Sequence, residues 1–157
     1  KYTNKITAFI LDRSEDKLAA LEKVSKVLAM DYNFAATETE DRLAPLEKRI
    51  APSVADWLKA MYYADFIFTD SFHGCVFSIL FNKPFVLYVN RNRGVARFDS
   101  LLKLFKIENR ILSDSNELES CRIRQSIDWK PINAKLEEMR SKSMRFLENA
   151  LNAKDEQ

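Results

Sequence analysis

The stretch Asp65-Phe66-Ile67-Phe68-Thr69-Asp70-Ser71-Phe72-His73-Gly74-Cys75-Val76-Phe77-Ser78-Ile79-Leu80-Phe81 decides the fold. Phe66 to Thr69 is aromatic and β-branched on both faces, which predicts the central strand of a parallel sheet. Gly74 to Phe81 reads as a helix. Between them lies a strand-to-helix turn, Asp70 to Gly74, the place where α/β sheets put ligand-binding groups. The chain has one histidine and two glycines. It places the histidine, His73, and one glycine, Gly74, side by side in this turn.

The pattern repeats on either side. Upstream, Ile6 to Leu11 reads as a buried strand. Ser14 can open a helix in which Leu18, Leu21, Val24, Val27 and Leu28 recur at helical spacing. Tyr32 to Ala36 reads as a short strand, and Thr37 to Ala51 as a polar loop with a short helical turn. Pro52-Ser53 opens a helix with Ser53 as N-cap and Val54, Trp57, Leu58 and Met61 facing inward. Tyr62 and Tyr63 read as packing residues ahead of the central strand. Downstream, Pro84 to Val89 reads as a strand whose proline, at its first position, removes no ladder bond. An arginine-rich loop follows, Arg91-Asn92-Arg93-Gly94-Val95-Ala96-Arg97. Next come a helix from Phe98 to Phe105, a short strand from Arg110 to Leu112, and a short helix from Ser115 to Cys121 with Ser115 as N-cap. Residues 131–157 read as a terminal helix with a frayed tail. Alternating strands and helices predict a single α/β domain over residues 1–157, a Rossmann-like parallel sheet with helices on both faces.

Composition narrows the function. A chain of 157 residues can bury a full core. Its formal net charge of +2 is too small to argue for nucleic acid or a charged membrane surface. No apolar run reaches the length of an integral membrane segment. Cys75 and Cys121 are far apart and read as reduced thiols of a cytoplasmic protein. One histidine and no cysteine cluster argue against zinc. The chain opens on Lys1 and runs almost at once into a strand, which predicts a domain cut from a longer protein.

The chemistry-bearing residues converge on an anion. A helix N-terminus presents free backbone N–H groups and partial positive charge. Ser71 can cap that helix or donate to an anion, and Gly74 permits close backbone approach. His73 can donate to a phosphate oxygen or move a proton near neutral pH. The plainer reading is that Asp70 and Ser71 only cap the helix and His73 is a half-buried structural ring. Arg91, Arg93 and Arg97 follow the next strand, so they belong at the same sheet edge, where a guanidinium fork suits carboxylate and phosphate. Their plainer reading is a solvated basic loop. Lys83 belongs at the opposite edge. No metal site and no cofactor are demanded by these residues.

Ser53 to Leu112 resembles the carboxyl-terminal signature of the polysaccharide pyruvyl transferases. The resemblance is carried by Val54-Ala55-Asp56-Trp57-Leu58, by Ala64 to Phe85 with its Thr-Asp-Ser-Phe-His-Gly core, and by Arg93-Gly94, Arg97-Phe98 and Ser100-Leu101-Leu102. It implies the carboxyl-terminal half of a GT-B-like enzyme with two Rossmann-like domains facing a cleft. The chain is about half the length such an enzyme needs, so the amino-terminal domain is expected elsewhere. The resemblance also implies the reaction. Pyruvate passes from phosphoenolpyruvate to two hydroxyls of a sugar in a bacterial exopolysaccharide or its lipid-linked precursor, giving a cyclic ketal and phosphate. The setting implied is cytoplasmic, at the inner face of the membrane. His73 falls on the family's motif histidine and Ser71 on its motif serine, with Gly74, Arg91, Arg93 and Arg97 as further substrate-binding candidates. Two other functions stay open on the residues alone. One is a nucleotide-sugar glycosyltransferase domain, with carboxylates from Glu38 to Asp41. The other is a non-catalytic glycan- or partner-binding domain of the same fold.

Overall fold

The computed structural model describes residues 4–36, 43–89, 95–118 and 123–152. Among the described residues five strands form one parallel sheet: β1 (Lys5–Phe9), β2 (Asp31–Phe34), β3 (Phe66–Thr69), β4 (Phe85–Tyr88) and β5 (Ile111–Leu112). Their order is β2-β1-β3-β4-β5, so β3 is central as its composition predicts. The order reverses direction between β1 and β3. In open α/β sheets such a switch point opens a crevice outside the carboxyl ends of the strands.

Side-chain alternation along β1 sorts the two faces. Ile6, Ala8 and Ile10 join Ala20, Leu21 and Val24 of helix α1 (Glu15–Leu28) in one core layer with Phe66, Phe68 and Val86. The opposite face of β1 meets helix α3 (Val54–Tyr63). There Thr7 Oγ1 donates to Ala60 O at 3.0 Å, and the Phe9 ring packs edge-on to Trp57 at 5.1 Å. All four residues of β3 are buried. Each buried phenylalanine there is worth roughly 1.5–3 kcal/mol relative to exposure.

Local chemistry sets the helix boundaries. Ser14 caps α1 by accepting from Lys17 N, and Ser53 caps α3 by accepting from Asp56 N. Helix α4 (Phe72–Leu80) begins two residues earlier than its composition predicts, so His73 lies in its first turn rather than ahead of it. A single turn, α2 (Leu46–Arg49), interrupts the polar loop. Helix α5 (Ala96–Phe105) buries Phe98, Leu102 and Phe105.

Several expectations need correction. Val54, the first residue of α3, is 75% exposed rather than inward and lines the groove described below. Tyr62 and Tyr63 are also exposed and stack on each other edge-on. Leu18 faces partly outward at 39% exposure. After β5 the chain makes a 3-10 turn, Ser115–Glu117, capped by Asp114 rather than Ser115. Asp114 accepts from Asn116 N at 2.7 Å, and its side chain is better placed for this than the serine inside the turn. Arg110 is buried as the last residue of a 3-10 turn, Glu108–Arg110, and donates to Gln125 O.

One compact unit ends at Ser126 and a second begins at Ile127. The second contains helix α6 (Trp129–Asn152), which starts two residues before the expected Pro131. Glu138 on this helix pairs with Lys135 and Lys142, and their ammonium groups hold its carboxyl down at about 2. Phe146 and Leu147 on this helix are exposed.

Candidate active site

The end of β3 and the start of α4 are joined without slack. Thr69 Oγ1 donates to Phe9 O at 2.7 Å and accepts from Ser71 N at 3.1 Å. Gly74 lies in the first turn of α4, against this threonine. A Cβ at Gly74 would sit 2.2 Å from Thr69 Oγ1 and 2.9 Å from Thr69 Cβ. Glycine is therefore required by close packing of helix on strand. Ser78 Oγ donates back to Gly74 O at 2.7 Å and completes the buried first turns of the helix.

Ser71 is the N-cap residue of α4, yet its side chain makes no cap hydrogen bond. It is 3% exposed and lines a groove. The first backbone N–H groups of α4 therefore have no side-chain cap from Ser71, and helix geometry leaves them without partners inside the helix. They carry the partial positive end of the helix dipole. His73, in the first turn, is exposed and also lines the groove. Its ring meets Phe72 edge-on at 6.4 Å.

The groove encloses about 480 Å³ at the switch point between β1 and β3. Phe9, Leu11, Trp57 and Phe77 make its apolar walls, with Ser71 and His73 as polar groups. Trp57 stands edge-on between Phe9 and Phe77, with ring centroids 5.1 Å and 5.0 Å away. Its Nε1 is buried without a hydrogen-bond partner among the described residues. Reading Trp57 as a core residue missed this role. The signal available in the sequence was its place in the first turns of a helix leading into the central strand.

Arg97 comes to the same end of the sheet. Its guanidinium lies 5.1 Å from the Phe72 ring centroid and 5.4 Å from that of Phe98. It thus packs on the neighbour of His73, and it is not part of the groove lining itself. Arg91, Arg93 and Gly94 lie outside the described residues. Lys83 precedes β4 at the opposite edge, its ammonium 5.6 Å from the Tyr62 ring.

Asp70 does not cap α4. Its carboxylate turns to the segment after β1, accepting from Leu11 N at 2.8 Å and Asp12 N at 3.1 Å. Lys17 Nζ lies 2.7 Å from the same carboxylate. Neither Lys17 nor this use of Asp70 is legible in the sequence, because the partners lie more than fifty residues apart. Further along the sheet edge, Asp16 accepts from Tyr88 Oη and Ser115 N. Hydrogen bonds from Ser115 and Tyr88 hold the Asp16 carboxyl below its ordinary value. Burial and this carboxylate push the Tyr88 phenol up. Cys75 is buried one residue beyond Gly74, and burial pushes its thiol up to about 12, which makes it an inert packing group.

Among the described residues, no group of three His, Cys, Asp or Glu side chains is arranged to hold a metal ion. Among the same residues, no helix is long and apolar enough to cross a membrane.

Comparison with known proteins bears on the fold and the family. No curated protein sequence matches the chain. A solved structure described as "Crystal Structure Analysis of the Glycotransferase of kitacinnamycin" superposes with a TM-score of 0.53 at 16% identity. The match covers 94% of this chain and 43% of that one. At this identity the likeness shows a shared α/β fold with a glycosyltransferase. The family model for polysaccharide pyruvyl transferase matches residues 3–92, which is more than half of the chain and contains β1 to β4, Asp70, Ser71, His73 and Gly74. This chain belongs to the polysaccharide pyruvyl transferase family.

Proposed function

We propose that the chain forms the donor-binding part of a pyruvyl transferase. Pyruvate would pass from phosphoenolpyruvate to a sugar of a cell-surface polysaccharide, or of its lipid-linked precursor, as a ketal. One observation carries this reading. The N-terminus of α4 has no side-chain cap, and it opens into the groove between the Ser71 hydroxyl and the exposed His73. Such a site suits a small anion carrying phosphate. Arg97 adds positive charge beside Phe72. Arg91 and Arg93, by their sequence position after β4, are assigned to the donor's carboxylate and phosphate.

The chemistry follows from the donor. The methylene carbon of phosphoenolpyruvate takes a proton and becomes a methyl group. The adjacent carbon becomes oxocarbenium-like and is attacked by one sugar hydroxyl. The C–O bond to phosphate then breaks, and the second hydroxyl closes the ketal. One hydroxyl proton ends on the methyl group and the other on phosphate, with no oxidation or reduction. An imidazolium at His73 is suited to give the first proton or to stabilise the departing phosphate. The Ser71 hydroxyl and the α4 amides would hold the phosphate as its charge grows. No cofactor enters this scheme. The family's acceptor would be a glycan, and an amino-terminal domain would supply the other wall of a GT-B-like cleft. Because the chain spans only 43% of the glycosyltransferase it resembles, we expect it to bind donor but transfer pyruvate poorly by itself.

The test uses the complete polypeptide that contains this chain. Incubation with ¹³C-labelled phosphoenolpyruvate and surface glycan should yield a ketal carbon and methyl signal in the glycan, with one equivalent of phosphate. Sugar transfer from a nucleotide sugar, without any ketal, would contradict the proposal.

A further inference from the structure

The β1–β3 ladder ends at the pair Phe9 and Thr69. Beyond it the two backbones part, and the groove opens between them. Two side chains from the β3 end continue the seam. Thr69 Oγ1 takes Phe9 O, and Asp70 takes the next free donors, Leu11 N through Oδ1 and Asp12 N through Oδ2. Lys17 closes the arrangement. Its ammonium binds Asp70 Oδ2 at 2.7 Å and Asp12 O at 2.5 Å, and the Asp12 carboxylate, which is mostly exposed, lies 3.7 Å away. The side chains of Asp70 and Lys17 are each 7% exposed. A buried carboxylate with three donors is fully engaged, and it is strongly committed to one geometry.

What this fixes is a wall of the site. Leu11 lines the groove with Ser71 and His73, yet its side chain is largely exposed and its packing alone holds it weakly. Its backbone is held by Asp70, which sits immediately before Ser71 in the same turn. We propose that Asp70 is a positioning residue. With Lys17 as its counter-ion, it sets the distance between the turn after β1 and the N-terminus of α4, and so the shape of the donor site. Lys17 has a second consequence. It compensates the Asp70 charge, which would otherwise oppose an anion at the neighbouring helix N-terminus. The inference rests on the reading of this groove as the phosphoenolpyruvate site.

The sign of one effect separates positioning from a bystander charge. If Asp70 were only a nearby negative charge, Asp70→Asn would tighten anion binding. Positioning requires the opposite. In Asp70→Asn the amide NH₂ accepts no hydrogen bond and the single oxygen cannot accept from all three donors, so at least one of Leu11 N, Asp12 N and Lys17 Nζ loses its acceptor. The experiment measures amide hydrogen exchange and phosphoenolpyruvate affinity on the same samples. Asp70→Asn should speed exchange at Leu11 or Asp12 by 10-fold or more while Phe66 to Thr69 stay protected, and it should weaken phosphoenolpyruvate binding by 10-fold or more. Should the single variant fail to fold because Lys17 is left buried and uncompensated, Asp70→Asn with Lys17→Met removes both charges together. The same local exchange and weakened binding are expected there. Unchanged exchange at both Leu11 and Asp12, or tighter binding in either variant, overturns the proposal. If the wild-type chain itself binds no phosphoenolpyruvate, the donor-site reading fails, and the exchange arm alone decides whether Asp70 sets the turn.

Discussion

His73 and Gly74 are neighbours in sequence with opposite duties. His73 is exposed in the first turn of α4, with its ring at the groove and against Phe72. His73→Ala should therefore leave the fold intact and, in the complete enzyme, lower kcat by roughly 10²–10⁴-fold, the usual effect of removing a positioned acid or base. His73→Gln retains a donor without a transferable proton. It should restore donor affinity but not kcat, which steady-state kinetics with phosphoenolpyruvate as the varied substrate would show. Gly74 works through space instead. The Cβ of Gly74→Ala would overlap Thr69, a buried residue whose hydroxyl already holds Phe9 O and Ser71 N. Overpacking of this kind costs about 1–3 kcal/mol, so the urea midpoint should fall accordingly. A midpoint equal to wild type would mean that the strand and helix can separate freely there.

At the scale of elements, the strands were more legible than the contacts between them. Phe66 to Thr69 declares a central strand through its apolar residues on both faces. Ser14 and Ser53 declare the starts of α1 and α3 through their side-chain oxygens. The start of α4 was harder, because Phe72 and His73 have no strong helical preference and the Ser71 side chain gives no cap bond to mark the boundary. The Asp70–Lys17 pair was not legible at all, and the groove wall at Trp57 only through the place of Trp57 in the first turns of a helix leading into β3. Each depends on which strands become neighbours, and local pattern does not encode that. Scarcity of glycine leaves its own mark. Helices α1 and α5 end on Ala29 and Lys106, both in the left-handed region at φ 52° and 57°. That conformation costs a non-glycine residue roughly 1–2 kcal/mol. Ala29 is exposed, so Ala29→Gly removes strain with little loss of packing. It should stabilise the chain by up to about 1 kcal/mol in a denaturant titration, after allowing for the larger entropy of glycine in the unfolded chain.

For the molecule as a whole, topology places the groove. A sheet of order β2-β1-β3-β4-β5 has its switch point between β1 and β3, and the groove with Ser71 and His73 opens there. Arg97 packs on the Phe72 ring beside it. The central claim is that this edge receives the phosphate of phosphoenolpyruvate at the N-terminus of α4. The most direct measurement is a ¹H–¹⁵N titration of the isotopically labelled chain with phosphoenolpyruvate, run beside a nucleotide sugar. The account predicts saturable shifts centred on the amides of Phe72, His73 and Gly74, weaker in Arg97→Ala, and not reproduced by the nucleotide sugar at equal concentration. Shifts that avoid the start of α4, or that follow the nucleotide sugar and not phosphoenolpyruvate, would contradict it.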